Sequence, residues 1–167
     1  VNVTLSAKNT DTNAVEVIGT KMIKGTDTFA TFDTTVKYNV TYFVSKVEDV
    51  AAKTPVVKIV EINDVDADGK LSTGDTFVLD FGYALSAAPT LAGSGAMTAT
   101  NPAAPNPANF KAGDSKVTYV MGGTVANGTL TLSKNSVVDE NGIKDALAAN
   151  VVINVTVADV NTSLVIE

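Results

Sequence analysis

The chain contains no cysteine, no histidine, no tryptophan, no arginine and no glutamine, so every positive side chain among its 167 residues is a lysine. Without histidine or cysteine it cannot build a Ser-His-Asp or Cys-His nucleophile, nor an ordinary zinc, copper or haem site. Carboxylates, a Ser-Lys pair or a metal-bound water remain as possible catalytic groups, but no such pair has a visible setting, and an enzyme is not expected. The absence of cysteine also removes disulfides as a source of stability, so an exported protein of this composition would rely on burial, hydrogen bonds or metal. Basic clusters are missing too. With a formal charge of −6 and singly scattered lysines, no nucleic-acid partner is expected. No apolar run approaches the roughly 20 residues that span a bilayer, and the chain opens on Val1 without a charged, apolar leader, so it reads as a piece of something longer.

What the chain does contain is β pattern. Val, Thr, Ile, Phe and Tyr alternate in short runs separated by Asn, Asp, Gly and Pro, as in Val36–Val44, Phe77–Tyr83 and Val151–Val157. Every second residue in these runs is large and apolar, the signature of a sheet with one face packed and the other wet. The expected class is all-β, with tandem sandwich modules of the immunoglobulin type as the architecture and a related barrel as the other possibility. Asp49 to Pro55 interrupts the pattern, and Pro55 biases its predecessor toward extended backbone, which places a boundary there. An internal echo supports it: Val47-Glu-Asp-Val50 leading to Lys58-Ile-Val-Glu61 resembles Val157-Ala-Asp-Val160 leading to Leu164-Val-Ile-Glu167. The expected division is a small or partial module over 1–50, a linker over 51–54, a complete module over 55–158, and a linker with a first or edge strand of a following module over 159–167. Between Leu91 and Ser115 the composition turns to Gly, Ala, Asn and Pro, which predicts a long loop at one end of the second module.

One segment carries chemistry. Asp64, Asp66, Asp68, Lys70, Ser72 and Asp75 stand at positions one, three, five, seven, nine and twelve of a twelve-residue calcium loop, with Gly69 at the sixth. The three alternating aspartates would aim carboxylates at one centre, Lys70 would lend its backbone carbonyl, Ser72 would act directly or through water, and Asp75 would close the site. Asp75 is shorter than the glutamate usual at the last position. The flanks are β-rich, so a strand, the loop and a second strand are expected in that order. Two weaker acidic groups stand out. Glu48, Asp49, Glu61 and Asp64 could hold calcium near the boundary, although solvated acids are the commoner case, and Asp139-Glu140-Asn-Gly142 with Asp145 reads better as a β-turn. Asn-x-Thr/Ser sequons begin at Asn2, Asn39, Asn127, Asn154 and Asn161, a pattern that Thr-rich strands also generate by accident.

Val56 to Tyr83 resembles the opening of immunoglobulin-like repeats in prokaryotic surface-layer (S-layer) proteins, where an apolar strand, an Asp-rich calcium loop ending in Gly-Asp and a Thr-rich strand follow in order. Gly142-Ile-Lys-Asp145 followed by Asn150 resembles the closing motif of such repeats, with Ala149 in place of the usual glycine. This resemblance implies a secreted structural protein of the cell surface or cell wall. Its modules, ordered by Ca²⁺, would assemble through homo-oligomeric lattice contacts, with other cell-wall components as further partners. The competing expectation is a calcium-binding extracellular adhesin, pilus or accessory binding module that uses the 91–115 loop as its contact surface.

Overall fold

The computed structural model describes every residue of the chain except Gly25, Thr26 and Thr28. Among the described residues it is all-β, apart from one short 3-10 turn at Val160–Thr162, and the chain divides into two compact units, Val1–Ala51 and Ala52–Glu167.

The first unit is a three-stranded antiparallel sheet in the order β2-β1-β3, built from β1 (Asn2–Asn9), β2 (Val15–Met22) and β3 (Val40–Glu48). β1 lies in the middle, and each neighbour bulges against it: β2 at Ile18, opposite Leu5 and Ser6, and β3 at Ser45, opposite Thr4 and Leu5. An extra residue opposite the ladder bends a strand and increases its twist. Little of this unit is buried; Ser6 and Ala7 are its fully covered residues among those described. The strand expected from Val36 starts later, at Val40. Asn39 adopts the left-handed conformation (φ 57°) and donates its side-chain amide to Asp11, which makes the preceding residues a turn and leaves Tyr38 fully exposed.

The second unit contains two four-stranded antiparallel sheets. One has the order β4-β5-β8-β7, with β4 at Lys58–Asn63, β5 at Thr76–Asp80, β8 at Lys116–Gly122 and β7 at Thr98–Thr100. The other has the order β11-β10-β9-β6, with β11 at Leu164–Ile166, β10 at Val151–Val155, β9 at Gly128–Leu132 and β6 at Leu91–Gly93. The alternation that marks these strands in the sequence is the alternation of burial. Phe77 and Leu79 of β5, with Phe81 just beyond it, and Val117, Tyr119 and Met121 of β8 face one core, which Leu130 and Leu132 of β9 and Ile153 and Val155 of β10 complete from the other sheet. Phe77 and Tyr119 are register partners whose rings stack at 5.4 Å, a cross-strand pair of the kind that stabilises sheets. Burial pushes the Tyr119 phenol up, and its hydroxyl donates to the Pro89 carbonyl at 2.7 Å, as a buried hydroxyl must find a partner.

The segment expected to be one long loop from Leu91 to Ser115 holds two short strands, β6 and β7. Gly93, the last residue of β6, marks close backbone approach rather than looseness: a Cβ there would lie 2.0 Å from the Met97 carbonyl oxygen. The remaining loop, 101–115, is pinned by its own asparagines. Asn101 donates to the Thr118 and Ala108 carbonyls and accepts from the Phe110 N–H, while Asn109 donates to the Pro102 carbonyl. At the other end of the chain, β11 pairs with β10 through three register positions, so residues 164–166 form an edge strand of the second unit's own sheet.

Replacing Phe77, which is fully buried, by alanine should cost about 3–5 kcal/mol of unfolding free energy, measured by urea titration, because the emptied volume lies between two sheets that cannot collapse onto it.

Candidate metal centre

The turn joining β4 to β5 contains all six residues predicted to form a calcium site. It enters after Asn63 and returns at Thr76, whose register partner is Asn63 itself, so the loop is closed at its base by an antiparallel pair. Ala67 (φ 59°) and Gly69 (φ 78°) turn the backbone left-handed in the middle of the acidic stretch, which coils the chain tightly and directs successive N–H groups inward. Those N–H groups meet the carboxylates. Asp64 accepts from Gly69 at 2.7 Å and from Asp68 at 3.2 Å, Asp66 also accepts from Asp68 at 3.2 Å, and Asp68 accepts from Lys70 at 2.7 Å.

Asp64, Asp66 and Asp68 thereby each bring one carboxylate oxygen within 4.8 Å of the others. An oxygen cluster of this spacing could hold a metal ion, although exposed acidic groups also occur without one. The donor set is made of hard oxygens, which suits calcium or magnesium and not the softer transition metals. Ser72 joins the edge of the group, its hydroxyl 3.3 Å from an Asp66 oxygen. Lys70 contributes to the loop's attachment: it forms an isolated bridge with Asp159, and the adjacent Gly69 carbonyl accepts from the Val160 N–H at 3.2 Å.

Asp75 stands outside the cluster. It is buried, and its two oxygens accept the N–H groups of Val65 at 2.8 Å and Ser72 at 2.5 Å, so it ties the start of the loop to its end. Its own backbone carbonyl accepts from Met121 while Gly74 donates to the Met121 carbonyl, which fixes the loop base to β8. Leu71 points the opposite way from the carboxylates in chemistry and in place, being buried in the core. The acidic turn is therefore anchored at both its base and its apolar residue.

Of the weaker acidic groups, Glu48 pairs with Lys46 at 2.8 Å and Glu61 accepts from the Asn63 amide at 2.9 Å. Asp139 and Asp145 are almost fully buried, and each gathers N–H groups of its own. Asp139 accepts from the Asn141 and Ile143 N–H groups, and Gly142 (φ 82°) donates to the Asp139 carbonyl to close a turn. Asp145 accepts from Asn135, Val137 and Leu147, and Asn150 accepts from Lys134. The Asp145 and Asn150 of the closing motif thus hold the chain around 134–147 in place. Sequence spacing cannot reveal this, because the N–H groups that satisfy Asp145 come from both sides of it, up to ten residues away.

Compared with known protein families, with curated proteins and with solved structures, the chain matches none. No described helix is long and apolar enough to cross a membrane.

The electrostatics of the turn are set by its backbone. The Gly69 N–H holds the Asp64 carboxyl below its usual 3.8; bonds from Asp66, Asp68 and Ala67 act in the same sense, and partial desolvation opposes them. A carboxyl whose folded pKa is depressed adds stability that is fully present above the unfolded value and is lost as pH falls through the folded one. The Asp64 carboxyl carbon, followed by NMR without added metal, should therefore titrate with a midpoint below 3.8. The Gly69 amide shift should move with it.

Proposed function

We propose that the chain is a calcium-stabilised structural segment of a prokaryotic cell-surface protein of the S-layer type, secreted, without catalytic activity, and assembled with copies of itself into a surface lattice. The observation that carries this reading is the convergence of the Asp64, Asp66 and Asp68 oxygens within 4.8 Å in a turn whose residues also stand at calcium-loop spacing. Three carboxylates so close repel one another, and a divalent cation converts that repulsion into a crosslink between the two ends of the turn. Lys70 would offer its carbonyl, Ser72 its hydroxyl, and Asp75 would complete the shell by sharing the lone pairs its two N–H donors leave free.

The strand order of the second unit supports an immunoglobulin-like module. Lettering β4 to β10 as A, B, C, D, E, F and G turns its two sheets into A-B-E-D and C-F-G, the constant-type arrangement, with β11 added beside G. The metal turn is then the A-B connection, at one end of the sandwich. The resemblance of Val56–Tyr83 and of the Asp145 and Asn150 motif to S-layer repeats points the same way. A passive building block fits the site chemistry, since the acidic turn offers a place for a cation and no partnered acid and base beside it.

Extracellular modules bind calcium with dissociation constants of about 10⁻⁴ to 10⁻³ M. At the tighter end, millimolar calcium adds about 1.4 kcal/mol, which raises Tm by about 5 °C for a unit of this size. Calorimetry should show that rise, and asparagine at Asp64, Asp66 and Asp68 together should abolish it. Light scattering of the same samples should show particles that grow in calcium and dissolve in excess chelator. An unchanged Tm would refute the metal site, and unchanged particle size with a normal Tm shift would refute the lattice role alone.

A further inference from the structure

The stretch that leads into the second unit is exposed at residues 51–54 and belongs to no strand, so on general grounds it should fray. Three contacts of Lys53 oppose that. Its carbonyl accepts from the Ala146 N–H at 2.9 Å, its ammonium lies 3.7 Å from an Asp139 oxygen, and the same ammonium sits 5.3 Å from the centre of the Tyr83 ring. Asp139 is suited to this contact. One of its oxygens is spent on the Asn141 and Ile143 N–H groups, while the other is the one that meets Lys53. Burial raises the Tyr83 phenol, and the negative field of Asp145 and Asp139 raises it further, so the lysine occupies a spot where two buried carboxylates favour a cation. Pro55, two residues on, is buried and fixes the backbone from the other side.

We propose that Lys53 is a latch that fastens the entering chain to the second unit through Asp139 and the ring of Tyr83, so that the free chain after β3 is limited to residues 49–52. The latch converts what composition reads as a flexible linker into part of the folded unit. Its parts come from three separate stretches of sequence: the entry segment, the residues after β5, and the turn that follows β9. It stands independently of the acidic turn between β4 and β5 and needs no metal.

Trypsin cuts after lysine, so the latch protects its own bond. In a timed digest of the full chain read by mass spectrometry, the Lys53–Thr54 bond should be cut at least fivefold more slowly than the bond after Lys111, an exposed lysine of the same unit, a factor on the scale of about 1 kcal/mol for one partly exposed ion pair. Asp139→Asn keeps an oxygen for the turn but turns an amide toward the lysine, and it should remove the protection at Lys53 selectively. Tyr83→Leu should do so in part, Tyr83→Phe should not, and excess chelator should leave the protection intact. Equal cutting at Lys53 and Lys111 in the wild type, or unchanged cutting at Lys53 in Asp139→Asn, would overturn the proposal. If Asp139→Asn accelerates cutting also at Lys58 and Lys116, which lie in strands, the unit itself has loosened. Lys53→Ala then decides: hydrogen exchange at the Ala146 amide should rise while exchange in β5 stays constant, and an unchanged Ala146 amide would contradict the latch.

Discussion

Carboxylates of like sign do not gather unless something positive holds them, and in the β4–β5 turn the positive charge available is the partial charge on backbone N–H groups. The left-handed residues Ala67 and Gly69 make this possible, because they curl the chain so that N–H groups from Asp68, Gly69 and Lys70 face the side chains just before them. N–H donors stabilise each charge separately but cannot cancel the repulsion among three charges. This residual repulsion is the physical reason to read the turn as a cation site. Asp75, a buried carboxylate with two N–H donors, ties the start of the turn to its end without any ion.

The same residue type does a different job elsewhere in the second unit. Asp139 and Asp145 are more deeply buried than the loop aspartates, yet each sits apart as a hub for N–H groups of its own neighbourhood. A lone buried carboxylate with three donors, as at Asp145, is a pin for irregular chain. Three carboxylates whose oxygens lie within 4.8 Å of one another, one half-buried and two exposed, could hold an ion. The distinction rests on how many charges gather at one place, and it separates the β4–β5 turn from the other acidic stretches more sharply than composition does.

Much of this architecture is legible in the sequence. The period-2 runs at Phe77, Leu79 and Phe81 and at Ile153 and Val155 announce strands because the residues that alternate are the ones that pack. Strands β6 and β7 are hidden, since Gly93, Thr98 and Thr100 resemble loop residues, and only close approach to neighbouring backbone, as at Gly93 and Met97, shows why they must be small. The delayed start of β3 follows from Asn39, whose left-handed backbone has no marker except the residue type. At the site, the spacing of Asp64, Asp66 and Asp68 was sufficient because a tight turn converts alternation into proximity. What no spacing rule announces is the second task of Asp75, whose two oxygens accept the N–H groups of Val65 and Ser72.

The central claim is that one divalent ion sits among the Asp64, Asp66 and Asp68 oxygens and closes the turn. The most direct measurement is a high-resolution crystal structure of the full chain grown in millimolar calcium, with anomalous differences recorded. The account predicts an anomalous peak with these three carboxylates at about 2.3–2.6 Å from it, the range for calcium–oxygen bonds. Density that refines as water at hydrogen-bonding distances, with no anomalous signal in the turn, would contradict it.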